Sequence, residues 1–194
     1  VIFAVVSSAV SAIYFAAYRG WLRGGAETAA QSKAAWALRR MQADLRPAIR
    51  GRVTPDPSPY TGLGLTVCLP AKTFDADEHT YLNVVQVDPD GNPQLQRGDL
   101  VHYYRGDDQG NQSATGAHLW RQLLPAAGPP NPAPKLITDN LRNNPDDGSG
   151  SPKPIFIYWP SVFRIESVEL TVTIEEKQGT RTARLTSGTE VSLR

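Results

Sequence analysis

The first eighteen residues constrain this chain most, because Val1 to Tyr18 contains no charged side chain. A helix rises about 1.5 Å per residue, so this segment lies at the lower limit for crossing the ~30 Å hydrocarbon core of a bilayer. Serine and alanine recur along it, and such small residues let apolar helices approach each other closely. We therefore expect a helix that is surrounded by lipid or by other helices.

Two other interpretations of this segment stay open. The first is the apolar part of a signal peptide, which normally follows a basic residue, and none precedes Val1. A helix buried in a protein core is the second interpretation, although an all-round apolar surface suits lipid or a filament interior better. Arg19 and Arg23 follow the segment, so the positive-inside rule taken alone places the next domain in the cytoplasm. We expect instead that the native helix begins before Val1.

The charges of the chain are unevenly distributed, although its net charge is only +1. Residues 18–52 carry eight basic and two acidic side chains, a net charge of +6, whereas the remainder carries twelve basic and seventeen acidic ones, a net charge of −5. A basic stem and an acidic head can attract each other between copies, but a solvated arginine-rich helix face explains the same pattern. Because the whole chain is not basic and no known module appears, we expect no nucleic acid partner.

An amphipathic helix is predicted over residues 26–52, after an apolar helix over residues 1–25. Glycines at positions 20, 24 and 25 separate the two, and we expect the helix to bend or loosen there. Pro47 indicates that the helix ends by about Gly51. One apolar stripe, at spacings of three and four residues, is expected to pack on the following domain: Ala34, Leu38, Met41, Leu45 and Ile49.

Residues 53–194 predict a β-rich head, because the apolar pattern changes to short strands separated by turns. The clearest strand alternates from Val168 to Glu175 and continues through a turn at Gly179 into a hairpin. Proline-rich and glycine-rich stretches at 126–134 and 143–154 are expected to be loops. The other predicted strands are Leu63–Leu69, Tyr81–Val87, Leu100–Arg105, His118–Leu124 and Ile155–Trp159. The predicted fold class is α+β, with a long N-terminal helix packed on an antiparallel sheet.

Four segments in this order resemble the type IV pilin and pseudopilin superfamily. The first is the apolar helix IFAVVSSAVSAIYFAAYRG (Ile2–Gly20), and the second is ALRRMQADLRPAIRGRV (Ala37–Val53). The others are the strand HLWRQLLP (His118–Pro125) and the closing hairpin that begins FRIESVELTVTIEE. The family's pattern of leucine, polar residues, aspartate, leucine and arginine is matched at Leu38, Asp44, Leu45 and Arg46. Within the superfamily the chain is most similar to the J-type minor pseudopilin of type II secretion and to W-type minor pilins.

The resemblance implies a structural subunit of a type IV pilus-like or type II secretion pseudopilus filament. Its partners would be other pilin or pseudopilin subunits, and its helix would lie in the bacterial inner membrane before it joins a periplasmic or extracellular filament. Packing in the filament core is expected from Phe3, Val6, Ala9, Val10, Ala12, Ile13 and Ala16. The alternative is a single-span surface protein whose β head binds a ligand or partner.

No catalytic motif is recognisable in the sequence, so we expect no enzyme. Cys68 is the only cysteine, which excludes an intramolecular disulfide, and in an apolar strand it is expected to be buried. Asp88, Asp90 and Asn92 offer oxygen ligands at alternate positions, which suits calcium, although an Asp-Gly pair between strands first of all predicts a hairpin turn. Asp107, Asp108 and Asn111 form a similar, weaker pattern. We expect no other cofactor.

Aromatic and histidine side chains of the predicted strands allow two interpretations. Strand aromatics either line an exposed binding face or, more commonly, pack in the core and across strands. The side chains in question are Tyr103, Tyr104, Trp120, Tyr158 and Trp159. The histidines are His79, His102 and His118. They form no ligand pair at helical spacing, so we expect packed or surface positions.

Overall fold

A computed structural model of the chain describes residues 2–126, 132–142 and 153–193, with side chains from Val6 onwards. Helix α1, Ile2–Leu45, is followed by twelve strands within these ranges, and every pairing between the strands is antiparallel. The fold class is therefore α+β, with one long N-terminal helix and several antiparallel sheets.

Helix α1 is continuous through all three glycines, so the expected interruption between residues 20 and 25 is wrong. Glycine costs only about 1 kcal/mol in a helix and leaves the chain of backbone hydrogen bonds intact, whereas proline would break it. Gly25 also has a packing role, because a Cβ at this position would clash with the side-chain oxygen of Gln178. The glycine leaves room for the end of the Gln178 side chain beside the helix.

The helix ends at Leu45, earlier than the predicted end near Gly51. Pro47 has no amide hydrogen and disfavours helical geometry at the residue before it, so the helical pattern stops within one turn of the proline. Arg46 still donates its amide to the carbonyl of Gln42 at 3.0 Å, and a turn follows in which the amide of Ala48 reaches the carbonyl of Leu45. Ile49, the last residue of the predicted stripe, therefore lies beyond the helix.

Two larger sheets form the head. The five-stranded sheet has the order β1-β2-β7-β8-β9, and the three-stranded sheet has the order β10-β11-β12. The strands of the first are Val53–Pro55, Gly64–Pro70, Arg97–Gly106, His118–Leu124 and Lys135–Thr138, and those of the second are Phe156–Ser161, Arg164–Gln178 and Arg181–Ser192. Backbone contacts join the sheets, since Leu141 bridges to Ile174 and the amide of Ile155 donates to the carbonyl of Gly62 at 2.7 Å.

Two short ribbons, β3-β4 and β5-β6, interrupt the connection between β2 and β7. Their strands are Lys72–Asp75, Thr80–Asn83, Val85–Val87 and Pro93–Leu95. The single strand predicted over Tyr81–Val87 is wrong, because the chain changes partner at Val84, whose amide donates to the carbonyl of Ala71. Hydrophobic alternation does not reveal such a change, because both halves remain extended.

The core lies between α1 and the two sheets. Four alanines of the helix, Ala26, Ala30, Ala34 and Ala37, are at most 2% exposed and allow close approach to β11 and β12. The sheets contribute Leu65, Val67, Val101, Leu119, Val168, Leu170, Val172 and Ile174, all of them fully buried. Of the two predicted loops, residues 127–131 and 143–152 lie outside the described residues.

Candidate assembly surface

The N-terminal half of α1 exposes an apolar surface. Every residue from Val6 to Gly20 is exposed to solvent. Seven large apolar side chains, each between 47% and 69% exposed, project from this part of the helix: Val6, Val10, Ile13, Tyr14, Phe15, Tyr18 and Trp21. Such a concentration of exposed apolar area is uncommon on a soluble monomer and is typical of surfaces that contact a protein or a membrane.

The residues predicted to pack in a filament core lie on this surface. Val6, Ala9, Val10, Ala12, Ile13 and Ala16 are all exposed, and the side chain of Phe3 lies outside the described residues. Ala9, Ala12 and Ala16 alternate with the larger side chains, so another helix can approach the backbone between them. Residues 6–21 are therefore the candidate assembly surface.

Three aromatic rings extend along this surface. The ring centroids of Tyr14 and Tyr18 are 6.3 Å apart and their planes are nearly parallel, and the rings of Tyr18 and Trp21 are separated by the same distance. Spacings of four and three residues place these side chains on one helix face. Rings stacked on each other lose little conformational entropy on binding, so this face is already arranged for contact.

Within the described residues, no helix contains a stretch that is long and apolar enough to cross a membrane.

The second half of α1 is held to the head by a buried face. Ala34, Leu38, Met41 and Leu45 of the predicted stripe are at most 7% exposed. Ile49 is only half-buried because the helix has already ended, and Ala48 is buried instead. The helix thus has two different surroundings along its length, a packed C-terminal half and an exposed N-terminal half.

A buried carboxylate attaches the end of the helix to the five-stranded sheet. Oδ2 of Asp44 accepts hydrogen bonds from the hydroxyl of Tyr103 at 2.6 Å and from Nε of Arg121 at 2.7 Å. Arg40, one turn earlier, is 3.5 Å from Oδ1. Burial of the ring, together with the adjacent carboxylate, raises the pKa of Tyr103 far above its ordinary value, so its hydroxyl remains a donor.

A second ionic cluster holds the middle of the helix. Nζ of Lys33 lies 2.5 Å from Oδ1 of Asp139 and 2.5 Å from Oε1 of Glu176. Partial burial lowers the pKa of Lys33, but its two hydrogen bonds to the carboxylates outweigh that effect and raise the pKa. The hydrogen bond from Lys33 in turn lowers the pKa of Asp139. The cluster joins three separate parts of the fold, because Asp139 follows β9 and Glu176 lies in β11.

The helix face turned away from the head is also exposed. Each residue turns a helix by about 100°, so Trp36 projects away from the buried Ala34 and Leu38, two positions to either side. Trp36 is 60% exposed. Exposed residues at spacings of four and three continue this face, which we call the outer stripe: Ser32, Trp36, Arg39, Ala43 and Arg46.

Two hairpin loops share the sequence Asp-x-x-Gly-Asn and the same hydrogen bonds. In the first, Oδ1 of Asp88 accepts the amides of Asp90 and Asn92, and in the second, Oδ1 of Asp107 accepts those of Gln109 and Asn111. The glycine of each loop has a positive φ, 86° at Gly91 and 87° at Gly110. The predicted Asp-Gly turn is therefore present, and a second turn of the same kind occurs in the loop whose residues formed the weaker calcium pattern.

Calcium at the first loop remains a prediction. Hydrogen bonds from the amide and side chain of Asn92 lower the pKa of Asp88, whose second oxygen also accepts a hydrogen bond from Gln94 at 3.0 Å. Both oxygens of the Asp88 carboxylate therefore already accept hydrogen bonds within this hairpin. No group of three or more His, Cys, Asp or Glu side chains suited to a metal ion occurs among the residues that the structure describes.

The five aromatic side chains of the strands differ in their exposure to solvent. Tyr103, Tyr104 and Tyr158 are buried, Trp120 is half-buried, and Trp159 is 52% exposed. The five side chains therefore form no common exposed face. Cys68 is buried, with 3% of its surface exposed.

The histidines occupy three different environments. Nε2 of His102 lies 2.9 Å from Oδ2 of Asp56, so this histidine forms a partly buried ion pair or hydrogen bond. His79 lies in the exposed turn between β3 and β4 with a positive φ of 49°. His118 is half-buried at the start of β8.

The polar partners of the stem were not predicted from the sequence. Arg121 is 77 residues from Asp44, and Glu176 is 143 residues from Lys33. The one available signal is that Asp44 lies beside Leu45 on the apolar side of the helix, where a carboxylate needs a buried donor. The row of exposed aromatic rings at Tyr14, Tyr18 and Trp21 was also not predicted.

In comparisons with known proteins, no family model, no curated protein and no solved structure matches this chain.

Proposed function

We propose that this chain is a structural subunit of a type IV pilus-like or type II secretion pseudopilus filament. Its N-terminal helix packs against the helices of other pilin or pseudopilin subunits, and its β head lies on the outside. The observation that carries the proposal is the exposed apolar surface of residues 6–21 on a helix whose C-terminal half is fixed to the head.

The exposed area contributes to association. Burying one large apolar side chain contributes about 1.5 to 3 kcal/mol, so burying all seven supplies on the order of 10 kcal/mol. Association itself costs roughly 4 to 15 kcal/mol, which is of similar size. Each helix therefore gains most when neighbouring helices surround it and bury the whole of this surface.

The subunit has one location before filament assembly and another after it. Before assembly the helix lies in the bacterial inner membrane, supported by the absence of charge between Val6 and Tyr18. After assembly the subunit belongs to a periplasmic or extracellular filament. The β head has a structural role, without enzymatic activity and without a required cofactor.

Assembly of the full chain, alone and with its native partner subunits, tests the proposal. We expect helical filaments or pilin complexes by electron microscopy, and we expect Val10→Asp with Ile13→Asp to abolish them, because each charge would be buried in an apolar bundle. Gln31→Asp, which adds a charge at an exposed position of the packed half, is the matched control and should assemble. A wild-type chain that never joins such an assembly contradicts the proposal.

Small residues distinguish a filament subunit from a membrane-anchored surface protein. Ala9→Leu with Ala12→Leu adds apolar volume, which lipid accommodates but a close helix interface does not. We expect this variant to remain in membranes and to lose assembly. Unchanged assembly would favour the single-span alternative.

A further inference from the structure

An exposed arm interrupts the connection between β2 and β7. It comprises residues 71–96, and none of them is buried. Three backbone hydrogen bonds of 2.8 Å close its base, joining Ala71, Val84 and Gln96. Its exposed large side chains are Phe74, Tyr81, Leu82, Val85, Val87 and Leu95. Isolated two-stranded ribbons are at best marginally stable in water, so this arm would gain most from a covering surface.

The tip of the arm combines an aromatic pair with carboxylates. The rings of Phe74 and Tyr81 face each other across β3 and β4 with centroids 5.2 Å apart. Asp75 accepts the amides of Asp77 and Glu78 and so shapes the turn. The carboxylates of Asp77 and Glu78 are exposed and form no ion pair within the described residues. The whole arm has five acidic side chains and one basic side chain.

The outer stripe of α1 has the complementary chemistry. Trp36 offers an exposed aromatic face, Arg39 lies about one turn C-terminal to it on the same side, and Arg46 follows the last residue of the helix. Neither arginine has an ion-pair partner among the residues described. Arginine beside tryptophan binds carboxylates and aromatic rings together, since the guanidinium both forms ion pairs and stacks.

We propose that the tip of the arm in one copy docks on the outer stripe of a second copy. Phe74 and Tyr81 cover Trp36, while Asp77 and Glu78 pair with the stripe's arginines. Charge complementarity favours a second copy as the occupant. Every copy carries both an acidic arm and a basic stem, so the arm of one copy can bind the stem of the next. Within one chain, no ring contact or ion pair between described residues joins the tip of the arm to the stripe; only the base of the arm, at Asn83 and Leu95, lines an open cavity together with Arg46. The inference rests on the proposed function and adds a specific contact between the head of one subunit and the stem of another.

Charge reversal in a chain with a disrupted assembly surface tests this contact separately. In the full chain carrying Val10→Asp and Ile13→Asp, two buried charges oppose apolar helix packing, so the contact between the arm of one copy and the stem of another can be measured separately. We expect weak self-association by sedimentation velocity that decreases as salt rises. Asp77→Arg with Glu78→Arg should raise the dissociation constant roughly tenfold or more, because like charges then face each other.

The reciprocal change supplies the control. Arg39→Glu with Arg46→Glu alone should weaken association by a similar factor, and the chain with all four reversals should regain it because the charges are again opposite. Circular dichroism checks that each variant is folded. An absence of self-association in the helix-disrupted chain, or reversals that neither weaken nor restore it, would overturn the docking contact. The filament experiments on the wild-type chain judge the proposed function independently of either result.

Discussion

The side chain of Asp44 is only 9% exposed and depends on Tyr103 and Arg121 for its hydrogen bonds. The side chain of Arg121 is itself only 12% exposed. Ions in such surroundings have exchanged hydration for protein contacts, and removing one partner leaves the other buried without compensation. The surface pair of Arg23 and Glu27 contrasts with it, since those side chains are 75% and 55% exposed and remain hydrated.

We predict that Asp44→Ala lowers the free energy of unfolding by about 3 kcal/mol or more, because Arg121 loses its buried acceptor and the hydroxyl of Tyr103 keeps only the longer hydrogen bond to the carbonyl of Arg40. Glu27→Ala is the control and should cost less than about 1 kcal/mol. Urea denaturation of the full chain, followed by circular dichroism, measures both values. Equal effects of the two substitutions would show that burial does not control the strength of these pairs.

At the level of elements, the stability of α1 depends on the surroundings of each glycine rather than on the number of glycines. Gly24 has open space where a Cβ would stand, whereas a Cβ on Gly25 would meet the amide end of Gln178. The hydroxyl of Thr28 donates to the carbonyl of Gly24 at 2.8 Å, as in a regular helix. Gly24 therefore destabilises the helix through backbone entropy alone. Gly25 has the same entropic effect, but its position is also occupied closely by the side chain of Gln178.

We predict that Gly24→Ala raises the free energy of unfolding by about 0.5 to 1 kcal/mol, because alanine is the better helix former and contacts nothing new. Gly25→Ala should give a smaller gain, since the side chain of Gln178 must move. Thermal denaturation of the two variants side by side measures the difference. A larger gain from Gly25→Ala would contradict the close approach between the helix and β11.

For the whole molecule, the cluster of Lys33, Asp139 and Glu176 matters because it joins α1, the segment after β9, and β11. The hydrogen bond from Lys33 lowers the pKa of Asp139, so this carboxylate contributes stability that is present above its ordinary pKa of 3.8 and is lost as pH falls through the lower value in the folded protein. The raised pKa of Lys33 has the opposite sign, and its contribution is lost only as pH rises above 10.5.

We predict that Asp139→Asn destabilises the protein at neutral pH and that this difference from the wild type shrinks well below pH 3.8, where the wild-type carboxyl is also neutral. Asp77→Asn removes an exposed carboxylate that forms no ion pair with any residue the structure describes, and it should have little effect at either pH. Urea denaturation at neutral and acidic pH gives the comparison. A difference that is independent of pH would mean that Asp139 acts through packing rather than charge.

Local pattern predicted much of the secondary structure. The alternation in β11 and its hairpin with β12, the strand His118–Leu124 and the buried stripe of the stem were all readable, because periods of 2 and about 3.6 residues follow directly from strand and helix geometry. The same patterns placed the apolar residues 6–16 on one helix. They did not indicate where the chain changes strand partners at Val84, since extended backbone on both sides looks alike in sequence.

The sequence by itself therefore determined the α+β class, the long helix and the acidic and basic distribution of charge. Only the tertiary structure decided that Asp44 meets Arg121, that Lys33 meets two carboxylates, and that Tyr103 is buried while Trp159 is exposed. The physical reason is distance along the chain: periodicity records which side of an element is apolar, but partners far apart in sequence are chosen by packing of the whole core. The large apolar side chains of residues 6–21, by contrast, remain exposed to solvent in the part of the chain that the structure describes.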